Sequence, residues 1–180
     1  MKFIPTKIKD VFIIEPQIFS DHRGCFFESY NKKTFSDAGL FYDFIQDNRS
    51  ESHYGLIRGL HFQNGDFSQA KLVSVMEGWV LDVAVDIRKD SATFGQYVSV
   101  ELSEENHRML LIPRGFAHGF SVLSKKAKFF YKCDNIYCKQ SESGIRFDDP
   151  DINIDWKIPN SKTIISEKDA TLPFFKEFYL

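Results

Sequence analysis

Cysteine is scarce. Three occur in 180 residues, Cys25, Cys133 and Cys138, an odd number with no Cys-x-x-Cys spacing, which argues against a disulfide framework and for a reducing compartment. Excess charge is also missing: 23 Lys and Arg stand against 25 Asp and Glu, for a net −2, and the signs are interspersed. No basic field is present to draw nucleic acid. The opening Met1-Lys2-Phe3-Ile4-Pro5-Thr6-Lys7 has no apolar stretch of signal-peptide length, and no run elsewhere approaches a membrane span. The expectation is a cytoplasmic protein with neither nucleic acid nor membrane as partner. A His-x-His pair, which sets two metal ligands on one strand face, is absent: position 63, two after His61, is Gln, and His22, His53, His107 and His118 are scattered. No metal and no cofactor are expected. No repeat, low-complexity tract or linker divides the chain, and 43% hydrophobic residues suffice for one core, so a single domain over residues 1–180 is expected.

What is present has the periodicity of strands. Lys71 to Met76 and Trp79 to Val85 flank a Glu77-Gly78 dipeptide that reads as a hairpin turn. Further runs follow at Gln96 to Leu102, Arg108 to Ile112, Ala117 to Leu123 and Lys128 to Cys133, punctuated by Gly95, Pro113 and Gly115. A short helix is expected over Lys32 to Ala38, with Asn31 as cap and Gly39 beyond its end, and another after Ser166. The fold class is all-β, a jelly roll or β-sandwich barrel with a few short peripheral helices, whose mouth can gather inward-facing residues around one ligand.

Six polar residues interrupt these apolar runs: Arg58, His61, Gln63, Lys71, His118 and Tyr131. Burying such groups unpartnered costs roughly 2–7 kcal/mol for a neutral one and more for a charge, so the set implies a cavity. His and Lys exchange protons, Tyr donates one, and Arg grips a phosphate, which points to acid/base work on an anionic ligand. Residue chemistry alone leaves other uses open. His61 and Tyr131 can be satisfied core residues, Tyr131 sharing a face with Phe129 and Cys133, and Lys71 a solvated strand end. Asp169, three after Ser166, can tie down a helix start, Arg23 and Arg58 can form surface ion pairs, and Glu142 reads as a loop acid. The abundance of Phe assigns Phe19 and Phe26 to the core. Strict alternation puts Arg58 and His61 on opposite faces unless Gly59 carries a bulge.

Six segments together carry a resemblance: Arg58-Gly-Leu-His-Phe-Gln63, Gln69-Ala-Lys-Leu-Val73, Asp82-Val-Ala-Val-Asp86, Ile112-Pro-Arg-Gly-Phe-Ala-His-Gly119, Tyr131-Lys-Cys133 and Ser166-Glu-Lys-Asp169. In unbroken order from about Asp21 to about Pro173, they resemble the dTDP-4-dehydrorhamnose 3,5-epimerase family. The resemblance implies a metal-free, cofactor-independent, cupin-like jelly roll, a homodimer, acting on a dTDP-linked 4-keto-6-deoxyhexose. It implies His61 as base, Asp169 as the group orienting it, Lys71 as stabiliser of the enolate, and Tyr131 as donor of the opposing proton. It carries Arg23 and Arg58 to the diphosphate. Glu28, Gln46, Asn48, Gln63, His118, Glu142 and Lys168 go to nucleotide or sugar contacts, and Tyr137 to stacking on the base. The departure from the family pattern is Asn64-Gly65-Asp66-Phe67, where relatives more often have prolines. A sugar-nucleotide binding module would need neither His61 nor Tyr131, whereas a monoepimerase or 3,4-ketoisomerase would share the whole pocket.

Overall fold

The computed structural model describes residues 1–178. Thirteen strands and two short helices run in the order β1 (Lys2–Pro5), β2 (Phe12–Glu15), β3 (Ile18–Asp21), β4 (Gly24–Phe27), α1 (Lys32–Asp37), β5 (Gln46–His53), β6 (Ile57–Gln63), β7 (Lys71–Glu77), β8 (Trp79–Asp86), β9 (Tyr97–Ser103), β10 (Met109–Ile112), β11 (Phe116–Val122), β12 (Lys126–Cys133), β13 (Glu142–Gly144) and α2 (Glu167–Ala170). A six-stranded sheet, β1-β2-β10-β7-β12-β5, packs on a five-stranded one, β13-β6-β11-β8-β9, and β3 and β4 form a separate ribbon. This is the all-β sandwich expected.

The core between the sheets follows from period-two alternation. Val73 and Val75 of β7, Leu110 and Ile112 of β10 and Phe129 of β12 meet Val80 and Ala84 of β8 and Phe116 and Phe120 of β11. The other face of β8, Leu81, Val83 and Val85, is also buried, under Ile145, Ile152 and Trp156. The outer face of the six-stranded sheet buries Leu72, Met109 and Leu111 under Phe35 of α1. β8 and β10 are therefore covered on both faces, which is why their residues are almost continuously apolar, broken in β8 only by Asp82 and by Asp86 at its end.

Helix α1 starts as expected: Asn31 Oδ1 accepts from the amides of Lys33 (2.9 Å) and Thr34 (3.3 Å), and Gly39 follows at φ +79°.

Two expectations are corrected. The strands β7 and β8 do not form a hairpin; they lie in different sheets. Gly78, at φ +82°, turns the chain from one sheet into the other, and a Cβ there would collide with the Lys126 carbonyl. Phe19 and Phe26 are not core residues: they stand 61% and 72% exposed on the β3–β4 ribbon. Among the described residues its strands pair only with each other, in a sheet of their own.

Candidate active site

At one end of the sandwich the inward-facing positions change from apolar to polar. Along β12 the series Ala127, Phe129 continues to Tyr131, and along β7 the series Val75, Val73 continues to Lys71. The facing sheet supplies His118 from β11 and His61 from β6, directly paired across the two strands. Two adjoining cavities of about 260 and 220 Å³ share Asn48, His61, Lys71 and Tyr131 in their walls.

Strict alternation is broken in β6. His61 pairs with His118 and Arg58 with Phe120, so two residues on β6, Gly59 and Leu60, stand against one on β11, Gly119. This bulge centres on Gly59, at φ +118°, where a Cβ would lie 2.7 Å from both the His118 carbonyl oxygen and Gly119 Cα. The extra residue turns Arg58 and His61 to the same face.

His61 Nε2 lies 2.8 Å from Asp169 Oδ1, and the other carboxylate oxygen accepts the Gly59 amide at 3.1 Å. The two readings of Ser166-x-x-Asp169 are compatible. The Ser166 hydroxyl caps α2 by accepting from the Asp169 backbone amide (3.1 Å), which leaves the Asp169 side chain free to turn toward β6. Burial pushes the Asp169 carboxyl up, but the His61 hydrogen bond and charge, with the Gly59 and Ser166 contacts, hold it below its usual value. The carboxylate fixes a proton on Nε2 and leaves Nδ1 as the imidazole's basic nitrogen.

Lys71 and Tyr131 face His61 from the opposite sheet. Lys71 Nζ sits 6.0 Å from the Tyr131 ring centroid. Burial lowers the Lys71 pKa against the opposing pull of Cys133, Asp82 and Glu142, and burial raises that of Tyr131, which keeps its phenol protonated. The Cys133 thiol, cross-strand from Lys71, is pushed up to about 11 by burial. His118 Nε2 is 3.0 Å from Asp82 Oδ2, a carboxylate with no solvent exposure. Burial lowers the His118 pKa although Asp82 pulls the other way. Asp82 is the residue that sequence reasoning passed over; its signal was a lone acid inside the apolar run of β8.

The remaining residues divide. Arg58 donates to Ser52 (3.3 Å) and has no carboxylate partner among the described residues, which leaves most of its guanidinium open to an anion. Lys168 holds Glu142 at 2.7 Å, and Glu142 accepts the Tyr137 hydroxyl at 3.0 Å. Gln46 donates to Asn48 (3.0 Å), whose own amide reaches Cys133 Sγ at 3.7 Å. The Gln63 amide is fully engaged with backbone, donating to Phe67 O (2.7 Å) and Ile136 O (3.1 Å) and accepting from Cys138 N (2.6 Å). The Asn64–Phe67 departure forms a 3-10 turn over Gly65–Phe67, stitched by Asn135 Nδ2 to Asp66 O at 2.7 Å. Arg23 and Glu28 line neither cavity. Arg23 is exposed on the β3–β4 ribbon and paired with Asp21 at 2.5 Å, and Glu28 accepts from Asn31 at 2.9 Å.

The chain matches a family model described as dTDP-4-dehydrorhamnose 3,5-epimerase over residues 5–177. It is 52% identical over 170 residues to an enzyme of that name from Shigella flexneri, covering 94% of this chain and 93% of the relative. A crystal structure of dTDP-4-dehydrorhamnose 3,5-epimerase from Elizabethkingia anophelis superposes with a TM-score of 0.95 at 55% identity, over 98% of this chain and 97% of the other. The Legionella pneumophila dTDP-6-deoxy-D-glucose-3,5-epimerase, solved in complex with dTDP-4-keto-L-rhamnose, gives 0.93 at 48% identity over 97% and 93%. The chain belongs to the dTDP-4-dehydrorhamnose 3,5-epimerase family.

Proposed function

We propose that this member of the family inverts C3 and C5 of dTDP-4-keto-6-deoxy-D-glucose, giving dTDP-4-keto-L-rhamnose, by removing a proton on one face of the sugar and restoring one on the other. The single observation that carries the reading is the opposition of His61, on β6 of one sheet, to Lys71 and Tyr131, on β7 and β12 of the other, across a shared cavity. His61 Nδ1 takes the proton from the carbon beside the ketone, and the C–H electrons move into the C4 carbonyl to give an enolate. The Lys71 ammonium stabilises the new oxyanion, a contribution of roughly 10²–10³-fold for such a donor. The Tyr131 hydroxyl then protonates the carbon from the far face, and solvent resets both groups before the second centre reacts.

Arg58 holds the diphosphate, and Tyr137, Glu142 and Lys168 form the nucleotide side of the pocket. Arg23 and Glu28 reach a substrate only when a second copy brings its β3–β4 ribbon to this cavity, which supports a homodimer with shared sites. The bare Phe19 and Phe26 on that ribbon fit the same arrangement. Free cysteines support a reducing cytoplasmic setting.

Incubation with the 4-keto sugar nucleotide in deuterated water, read by NMR, tests the proposal. Deuterium at both C3 and C5 with inverted product is expected; label at one carbon identifies a monoepimerase, and no label a binding module. Mixing Arg23→Ala with His61→Asn tests the shared site, because only a mixed dimer regains one intact cavity, and the mixture should exceed either variant alone.

A further inference from the structure

The backbone on either side of Tyr137 is held by two glutamine side chains that come from opposite sheets. Gln63, on β6 of the five-stranded sheet and 8% exposed, donates to Ile136 O and accepts from Cys138 N. Gln46, on β5 of the six-stranded sheet, accepts from the Tyr137 amide itself at 3.0 Å. The two consecutive peptide units that flank Tyr137, 136–137 and 137–138, are thus suspended across the mouth of the sandwich, while the Tyr137 ring stays 54% exposed and its hydroxyl rests on Glu142. Both N–H donors of Gln63 are spent on backbone, because the second goes to Phe67 O in the neighbouring 3-10 turn. Gln46 has likewise committed its carbonyl to Tyr137 and one N–H to Asn48.

We infer that Gln46 and Gln63 act as an amide clamp that positions Tyr137 against the nucleobase, so that both sheets jointly set nucleotide affinity. Neither amide takes part in moving protons. The inference rests on the reading of Tyr137 as the base-stacking side chain. The first residue of β5 and a residue two positions after His61 thereby become determinants of how the nucleotide end docks. Because Gln63 also holds the Gly65–Phe67 turn, that turn and the Tyr137 loop move as one piece.

The test uses Gln63→Met, Gln46→Met, Tyr137→Ala and each Met change combined with Tyr137→Ala, all in the full chain, with dTDP as the binding probe. Each Met variant should raise the Kd for dTDP and the KM for the sugar nucleotide by about tenfold, the loss arising mainly in KM rather than kcat. In the Tyr137→Ala background the same changes should add less than about twofold, because the clamp then has no ring to place. Amide hydrogen exchange across residues 134–141 should accelerate in both Met variants. Effects that multiply fully with Tyr137→Ala, a loss confined to kcat, or unchanged exchange across that segment each overturn the clamp. Gln46 is only half-buried, so its variant serves where Gln63→Met does not fold. Wild-type protein that fails to bind dTDP would overturn the functional reading instead, while exchange still judges the clamp.

Discussion

Replacing Asp169 by Asn tests the base directly, because the change keeps shape and removes only the charge and one accepting edge. In the wild type both carboxylate oxygens accept, one from His61 Nε2 at 2.8 Å and one from the Gly59 amide at 3.1 Å. The variant amide has one acceptor and two donors. The Gly59 N–H cannot donate to an NH₂ group, so the amide oxygen stays with Gly59 and the NH₂ turns to His61. Nε2 must then accept, which moves the imidazole proton to Nδ1 and removes the lone pair that the proposed reaction uses. Loss of a charge-assisted bond in a site 3% exposed costs roughly 1.5–3 kcal/mol, and the wrong tautomer extends the fall in kcat to about 10²–10⁴-fold. The assay is deuterium exchange at C3 and C5 by NMR under saturating substrate, with thermal unfolding alongside to show that the fold persists. Exchange within about fivefold of wild type would refute the argument that Asp169 sets the tautomer.

Further outcomes follow from other groups in the cavity. Replacing Tyr131 by Phe should leave deuterium exchange measurable while inversion fails, since the phenol held protonated by burial is gone but the base remains; full epimerisation in an NMR time course would contradict the role given to Tyr131. Burial lowers the Lys71 pKa, so the charged form is lost below the ordinary lysine range as pH rises. Activity should therefore show an early alkaline limb, and Lys71→Arg, with a guanidinium that does not deprotonate, should abolish that limb in a pH–rate profile even if its rate is lower. His118, whose pKa burial also lowers, binds its proton less readily folded than unfolded. Stability contributed by the neutral ring is complete above about 6.5 and declines as pH falls toward the lowered folded value. Urea midpoints should accordingly drop between pH 7.5 and 5.5, and that slope should weaken in His118→Gln.

How far the fold could be read from the chain differs from strand to strand. Strands β7 to β12 announce themselves because their aliphatic and aromatic residues alternate or run continuously between turn residues. Strand β5, Gln46 to His53, contains no aliphatic or aromatic side chain apart from His53, so it offers no hydrophobic period at all; it exists because β12 pairs with it over eight residues. Glu77-Gly78 looks the same whether a chain folds back beside itself or crosses to another layer. What separates the two is that Leu81, Val83 and Val85 need cover on the outer face, which residues far along the chain supply. At the site, His61 and Asp169 are 108 positions apart and no local pattern links them. The Ser166-x-x-Asp169 spacing signals only the helix cap, since the backbone makes the cap and the side chain is free to do something else. Gln63 shows the converse, a polar residue set into a strand for a reason that is visible only when its three backbone partners are known.

The cavity is best understood as the polar end of the hydrophobic core rather than as a pocket added to it. Phe129 stacks on Phe120 with centroids 4.2 Å apart, and the same ring lies 6.1 Å from His118 and 6.0 Å from Tyr131. His118, the cross-strand neighbour of the base His61, and Tyr131 of the opposite sheet are thus spaced by one core residue whose position is fixed by close packing. Acid/base transfer to opposite faces of a sugar needs a fixed separation between base and acid, and loops alone hold such a distance poorly. A sandwich provides it without added parts, because alternation puts every second residue of each sheet into the same interlayer space. Only the last one or two inward positions of each strand need change from apolar to ionisable. That is the pattern in β7 and β12, where Val73 gives way to Lys71 and Phe129 to Tyr131, and it explains why so few substitutions relative to a plain β-sandwich suffice to specify the chemistry.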